Sequence, residues 1–177
     1  MRKTQGAATV RDRAAILEES ANKEGAVHPD GVTPPVILVV EDDLGDRILI
    51  ERAFEECDNA VQLRFATTGD EAESYLFRFA RERGSLRPAL VLLDLNVPGV
   101  DGRELLREIR ADAVLRPTPV VVFTGSDDTR DVYDAYDLGA NSYVRKPDSA
   151  AGYRKVVRIF EAYWLRRAEL PGDGGDV

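Results

Sequence analysis

Cysteine and histidine are nearly absent from this sequence, because its 177 residues contain one of each, Cys57 and His28. A single cysteine excludes a disulfide framework within the chain and any cysteine-rich metal site. With His28 alone near the start, the rest of the chain has no histidine for a catalytic triad, a phosphohistidine or a histidine-ligated zinc ion. The chemistry of this protein must therefore come from carboxylates, hydroxyls and lysines.

A basic excess and a long apolar run are also missing. The chain carries 24 Lys and Arg against 32 Asp and Glu, a formal net charge of −8. This balance argues against a nucleic-acid partner, since phosphate contacts need a basic face. No apolar run approaches the ~20 residues that a transmembrane helix needs, and the first residues lack the apolar core of a signal peptide. We expect a soluble, cytoplasmic protein with no membrane partner.

Three segments follow one another along the chain. Residues 1–35 form a polar extension, flexible or with a short helix, that ends in a proline-rich linker. Residues 36–168 form the folded domain, and residues 169–177 form a tail that we expect to be disordered. Within the domain, five apolar strand-like segments alternate with five segments of helical periodicity, the last predicted over Ala150–Ala168. This order predicts an α/β fold, a doubly wound parallel sheet with helices on both faces.

Polar residues stand where four of the predicted strands end. Glu41 and Asp42 follow the first strand, Asp94 the third, Thr124 the fourth and Lys146 the fifth. In parallel α/β sheets the site lies at the carboxyl ends of the central strands. We therefore expect these side chains to converge on one pocket.

Such a set of side chains suits phosphoryl chemistry. Clustered carboxylates repel one another unless a cation compensates, and a hard divalent ion with oxygen ligands, Mg²⁺ above all, is the natural choice. A lysine and a hydroxyl beside that ion can bind a transferring phosphoryl group. One carboxylate can then be the nucleophile and become an aspartyl phosphate. Asp94, at the end of a central strand, is our candidate.

Four motifs in order resemble the receiver domain of bacterial two-component response regulators: Glu41-Asp42-Asp43, Asp94-Leu95-Asn96-Val97-Pro98-Gly99, Thr124-Gly125 and Lys146-Pro147. The resemblance implies the flavodoxin-like fold with strand order 2-1-3-4-5. It also implies a phosphoryl group that passes from a sensor histidine kinase to the protein, which is then a signalling switch and not an enzyme.

The resemblance assigns roles to the matching residues. Asp94 would be the phosphoacceptor, and Mg²⁺, with Mn²⁺ as a substitute, would be bound by Asp42, Asp94, the Asn96 backbone carbonyl and, through water, Glu41. Thr124, Lys146 and Tyr143 would bind the phosphoryl group and switch conformation. The bond between Lys146 and Pro147 would be cis, as the family has it.

Finer details resemble the single-domain regulators paired with bacterial phytochrome kinases, among them Glu41–Asp46 and the aromatic end of the last helix. They imply a bacteriophytochrome as the kinase and no effector domain after the receiver. They also imply a homodimer, for which Phe160, Tyr163 and Trp164 are the predicted contacts. The output face would combine the helix after Thr124, the last strand and the last helix.

Two other functions fit parts of the pattern. A phosphorelay intermediate, which hands the phosphoryl group on to a phosphotransfer protein, would have an identical site. A phosphohydrolase of the haloacid-dehalogenase type also uses a strand-end aspartate as its nucleophile. That family has a second aspartate as acid/base two residues later, where this chain has Asn96, so a proton donor for the leaving group is absent.

Overall fold

The computed structural model describes residues 33–81 and 87–171, and of residues 79 and 81 only the backbone. Most of the predicted extension and the last residues of the predicted tail thus lie outside the described residues. The strands are β1 (Val36–Val40), β2 (Gln62–Ala66), β3 (Pro88–Leu93), β4 (Val120–Thr124) and β5 (Ser142–Arg145). The helices are α1 (Leu44–Glu55), α2 (Gly69–Arg81), α3 (Gly102–Ala111), α4 (Thr129–Asp137) and α5 (Ala150–Phe160), and α5 continues into a π-helical turn, Glu161–Leu165.

The five strands form one parallel sheet in the order β2-β1-β3-β4-β5. The predicted fold class is confirmed. The order reverses between β1 and β3, and in such sheets a crevice opens at that point beyond the carboxyl ends of the strands. Glu41 follows β1 and Asp94 follows β3, so two of the predicted site residues flank this point.

Alternate side chains of the central strands enter two cores, one on each face of the sheet. On one face Leu38 and Leu93 pack under α2, α3 and α4. On the other face Ile37 and Phe123 pack under α1 and α5. Burial on both faces explains why β1 and β4 are unbroken apolar runs in the sequence.

Gly102 lets α3 begin against the end of β3. A Cβ atom at this position would lie 2.5 Å from the Asp94 carbonyl oxygen and 2.7 Å from Leu95 Cα. The Gly102 amide donates a hydrogen bond to the Leu95 carbonyl, and Asp101 caps the helix. A larger residue would push α3 away from the backbone that carries Asp94.

The C-terminal helix differs from the prediction in two ways. Its α-helical part ends at Phe160, not at Ala168, because Glu161 turns inward and its Oε1 accepts a hydrogen bond from the Asn59 amide and pairs with Arg166. Phe160 is only 4% exposed and packs edge-on against Phe123, so its assignment to a dimer contact is wrong. Its ring fills the core under the sheet.

Tyr163 lies beyond that core, whereas Trp164 packs against its edge. Tyr163 is exposed, Trp164 is half-buried, and their rings pack edge-on with centroids 4.9 Å apart. Within the described part of the chain, no helix is long and apolar enough to cross a membrane.

Candidate functional site

Asp94 lies directly after β3 and is 6% exposed. Its Oδ1 accepts hydrogen bonds from the Thr124 hydroxyl at 2.8 Å and from the Asn96 amide at 3.0 Å. Its Oδ2 lies 2.5 Å from Lys146 Nζ. The ends of β3, β4 and β5 therefore meet at one carboxylate, as the strand-end pattern indicated.

Lys146 is the centre of the charged cluster. Its ammonium lies 2.5 Å from Glu41 Oε2, 2.5 Å from Asp94 Oδ2 and 2.9 Å from Asp46 Oδ2. An ammonium has three N–H donors, and here each has a carboxylate to accept it. Although burial opposes it, the hydrogen bonds to these acids raise the pKa of Lys146, so the ammonium stays charged.

The sheet places Lys146 at this point. The Lys146 amide donates to the Thr124 carbonyl over 2.8 Å, which continues the pairing of β4 and β5 beyond their ends. Gly125 follows Thr124, and a Cβ atom there would meet nothing within 4 Å. The space beside the Gly125 backbone, directly after the buried Thr124, is therefore open.

Glu41 is the second buried acid and is 1% exposed. Burial raises the pKa of Glu41 to about 7, even though the neighbouring Lys146 acts to lower it. Its Oε1 also accepts the Asp43 amide at 3.1 Å, which directs the carboxylate away from solvent. The ionised form of Glu41 is therefore unfavourable here, and further positive charge nearby would stabilise it.

The predicted metal ligands share this end of the sheet but are not grouped as a ligand set. Among residues 33–81 and 87–171, no three His, Cys, Asp or Glu residues are arranged to hold a metal ion. Glu41 and Asp94 face Lys146, whereas Asp42 is exposed. The donor chemistry still fits a hard divalent cation, because three carboxylates, those of Glu41, Asp46 and Asp94, share one ammonium and offer only oxygen.

Tyr143, the predicted switch aromatic, is joined to the loop after β4. Its hydroxyl donates to the Ser126 carbonyl over 3.1 Å, two residues beyond Thr124. The Ser126 hydroxyl in turn donates to Asp131 Oδ2 on α4 over 2.5 Å, and Arg103 on α3 binds the other oxygen of Asp131. A movement of Thr124 would therefore be transmitted through Ser126 to Tyr143 and to α4.

The bond between Lys146 and Pro147 corrects one expectation. Every peptide bond in the described residues is trans, this one included, so the predicted cis bond is wrong for this structure. The trans form is the more favourable one by about 0.5–1 kcal/mol at an X–Pro bond. Lys146 reaches its three carboxylates with the bond trans, so these contacts do not need the cis form.

Asp46 and Tyr153 belong to the site although the sequence did not single them out for it. Asp46 lies in the first turn of α1, where the sequence suggests only an acid that complements the helix dipole and gives no sign of a contact with Lys146. The Tyr153 hydroxyl on α5 donates to Asp46 Oδ1 over 2.7 Å. The two residues are 107 positions apart in the sequence, and spacing within a helix gives no signal for such a contact.

Comparison with known proteins decides the family. The pattern of the response regulator receiver domain matches residues 37–158. The chain belongs to this family. Membership of this family rules out the haloacid-dehalogenase alternative and identifies the protein as a signalling switch.

Two relatives match this receiver over most of their length. Response regulator Rcp1 of Synechocystis sp. is 37% identical over 138 residues, which cover 78% of this chain and 94% of Rcp1. The probable methanogenesis regulatory protein FilR2 of Methanothrix harundinacea is 39% identical over 139 residues, 78% of this chain and 89% of FilR2.

Solved structures agree with the fold of this receiver. The phosphorylated cyanobacterial phytochrome response regulator RcpA has a TM-score of 0.73 and 36% identity, over 79% of this chain and all of RcpA. The Mn²⁺-bound form of Rcp1 has a TM-score of 0.72 and 37% identity, over 78% of this chain and all of Rcp1.

Proposed function

We propose that Asp94 accepts a phosphoryl group from the phosphohistidine of a sensor kinase in the cytoplasm. A carboxylate oxygen of Asp94 attacks phosphorus, the bond from phosphorus to the imidazole nitrogen breaks, and the kinase histidine leaves with its electron pair. The observation that carries the proposal is the buried Asp94 carboxylate, contacted at once by Lys146 Nζ and the Thr124 hydroxyl.

The residues around Asp94 match what a bound phosphoryl group needs. The group brings negative charge and acceptor oxygens to a position where Lys146 supplies an ammonium and Thr124 a hydroxyl. Both donors are in place before transfer, so little reorganisation is required to stabilise the transferred group. Thr124 would leave Asp94 Oδ1 to donate to a phosphoryl oxygen.

A divalent cation, Mg²⁺ or in its place Mn²⁺, is part of the proposal. Asp42, Asp94 and the Asn96 backbone carbonyl would hold it directly, and Glu41 through water. When bound, the cation neutralises negative charge on the phosphoryl oxygens. The raised pKa of Glu41 and the excess of carboxylates over ammonium support this assignment, as does the Mn²⁺-bound form of Rcp1.

Phosphorylation would act through the loop after β4. The movement of Thr124 would shift Ser126, and with it Tyr143 and the start of α4. The output face is then formed by α4, β5 and α5. The likeness to Rcp1 and RcpA supports a phytochrome-type kinase as the partner, since RcpA is a phytochrome response regulator.

A homodimer is also proposed, with Tyr163 and Trp164 as its aromatic contacts. Tyr163 is 56% exposed, and Ile159, one turn earlier, is 64% exposed. Apolar surface of this kind is typical of an interface. Sedimentation velocity on Trp164→Glu and on Tyr163→Glu tests this, and a dimer that survives both substitutions would rule the contact out.

Phosphorylation from acetyl phosphate tests the main proposal. The wild type should incorporate phosphate in the presence of Mg²⁺ or Mn²⁺, and incorporation should stop when EDTA removes the ion. Asp94→Asn should incorporate no phosphate. Asp101→Asn is a matched control, because Asn caps a helix as well as Asp does and Asp101 lies outside the charged cluster. Incorporation that persists in Asp94→Asn would refute the assignment.

A further inference from the structure

Asp46 bridges two side chains from opposite sides. Its Oδ2 lies 2.9 Å from Lys146 Nζ, and its Oδ1 accepts the Tyr153 hydroxyl at 2.7 Å. The roles proposed for Asp42, Asp94, Thr124 and Lys146 do not use this bridge. It connects α1, the end of β5 and α5 at the charged cluster.

Tyr153 is held rigidly at its end of the bridge. The residue is 2% exposed, and its ring packs edge-on against Phe123 with centroids 5.7 Å apart. Burial, together with the Asp46 carboxylate, raises the pKa of Tyr153, so the phenol keeps its proton and acts as the donor. A buried hydroxyl needs such a partner, and the neighbouring packing leaves the ring little freedom to seek another.

The bridge fixes the third contact of the Lys146 ammonium. Glu41 and Asp94 each lie 2.5 Å from Nζ, and Asp46 completes the three acceptors. Without the Tyr153 hydroxyl, the Asp46 carboxylate would lose the hydrogen bond that holds Oδ2 toward Nζ. The ammonium would then be positioned from one side only, by the two acids that flank the switch point.

We propose that Tyr153 is a positioning residue: through Asp46 it sets where the Lys146 ammonium lies relative to Asp94, and it thereby sets the rate of phosphoryl transfer. The effect on the rate of phosphoryl transfer rests on the proposed function, whereas the effect on the position of the Lys146 ammonium does not. Tyr153 also makes α5, one element of the proposed output face, a direct neighbour of the charged cluster. The residue does not contact the phosphoryl group itself.

Kinetics of phosphorylation test the part about rate. Tyr153→Phe keeps the ring and removes only the hydroxyl. Because Tyr153 acts on Lys146 only through Asp46, only part of the free energy of the lost hydrogen bond is expressed in the rate, and we expect a maximal rate with acetyl phosphate that is about two- to tenfold lower, with an unchanged half-saturating concentration. Asp46→Asn should also be slower, and the double variant no slower than Asp46→Asn alone. Tyr133→Phe, on the exposed face of α4, is the matched control and should equal the wild type.

The position of the ammonium is measured without phosphorylation. The chain has four lysines, Lys3, Lys23, Lys146 and Lys155, so ¹⁵Nζ-lysine spectra hold few signals, and Lys146→Arg assigns the one needed. Tyr153→Phe should move the Lys146 signal, and in the Asp46→Asn background it should move it no further. A merely structural role for Tyr153 would not give this dependence on Asp46.

The outcomes separate the two proposals. A Lys146 signal that Tyr153→Phe leaves unchanged, or an equal shift with and without Asp46, overturns the inference. A wild type that takes up no phosphate at Asp94 overturns the proposed function, and the lysine spectra still decide the positioning. A normal rate in Tyr153→Phe beside a labelled Asp94 overturns the part about rate alone.

Discussion

The Thr124 hydroxyl donates a hydrogen bond to Asp94 Oδ1 over 2.8 Å, and both residues are buried. The bond links the end of β4 to the end of β3 at the charged cluster. In this structure the hydroxyl of Thr124, the proposed switch residue, is therefore bonded to Asp94, the proposed phosphoacceptor. Transfer of a phosphoryl group would change the acceptor that this hydroxyl meets.

Thr124→Val should lower the free energy of unfolding by about 1.5–3 kcal/mol, because valine has nearly the shape of threonine and removes a hydrogen bond to a charged group. Asp94 should still be labelled by acetyl phosphate, at a lower rate. Urea denaturation at neutral pH measures the first effect. Thr124→Ser keeps the hydroxyl and should retain most of the rate, and a Thr124→Val protein as stable as the wild type would contradict the structure.

Lys146→Met should destabilise the protein by about 3–5 kcal/mol at pH 7.5, because it leaves buried carboxylates without their ammonium. The loss should shrink toward pH 5. The pKa of Glu41 is already raised to about 7, and an acid with a raised folded-state pKa contributes stability that is present at low pH and lost as the pH rises. Denaturant unfolding at the two pH values measures the change.

Lys146→Arg is the control for that prediction, since it keeps the positive charge and should show the weaker pH dependence of the wild type. Mg²⁺ should restore part of the stability of Lys146→Met at pH 7.5, because the cation supplies the missing positive charge. An equal loss of stability at both pH values would mean that Lys146 acts through packing and not through charge.

Arg110→Lys should cost about 2 kcal/mol of stability, because lysine cannot reproduce the planar set of donors of arginine. The Arg110 guanidinium binds the carbonyls of Gly139, Thr118 and Arg116 and the side chain of Asn141, at 2.8–3.1 Å. It fastens the end of α3 to the segments that directly precede β4 and β5. Thermal unfolding measures the effect, with Arg107→Lys, exposed on the same helix, as the control.

Features of the structure that rest on local sequence patterns could be predicted, whereas contacts between distant residues could not. The elements, the sheet and the convergence of Asp94, Thr124 and Lys146 follow from local patterns, because strand ends are visible as the end of an apolar run. The helical pattern over Asp46–Cys57 predicts α1, which begins two residues earlier, at Leu44, since Asp43 caps it. Such boundary shifts are small and leave the site unchanged.

Contacts between distant residues could not be inferred in this way. Asp46 meets Tyr153 across 107 positions, and Glu161 meets the Asn59 amide across 102. The second contact ends the regular part of α5, so the helical periodicity that continues to Ala168 led the prediction too far. The burial of Phe160 could not be predicted either, because a wide apolar helix face does not show which of its residues pack against the sheet.

Asp131 holds the loop after β4 through two bonds of 2.5 Å, one from the Ser126 hydroxyl and one from Arg103. These two hydrogen bonds lower the pKa of Asp131 below its ordinary value. A depressed folded-state pKa contributes stability that is present above the ordinary pKa and is lost as the pH falls through the lower folded value.

Asp131→Asn should therefore lower the free energy of unfolding by about 1–3 kcal/mol at pH 7, and the difference from the wild type should narrow below about pH 4 as the wild-type carboxylate is protonated. Urea unfolding at several pH values between 7 and 3 measures both effects. Asp134→Asn, an exposed acid on the same helix, should show neither. A constant difference at all pH values would show that the loop depends on the shape of Asp131 and not on its charge, and Arg103 would then not be the residue that holds it.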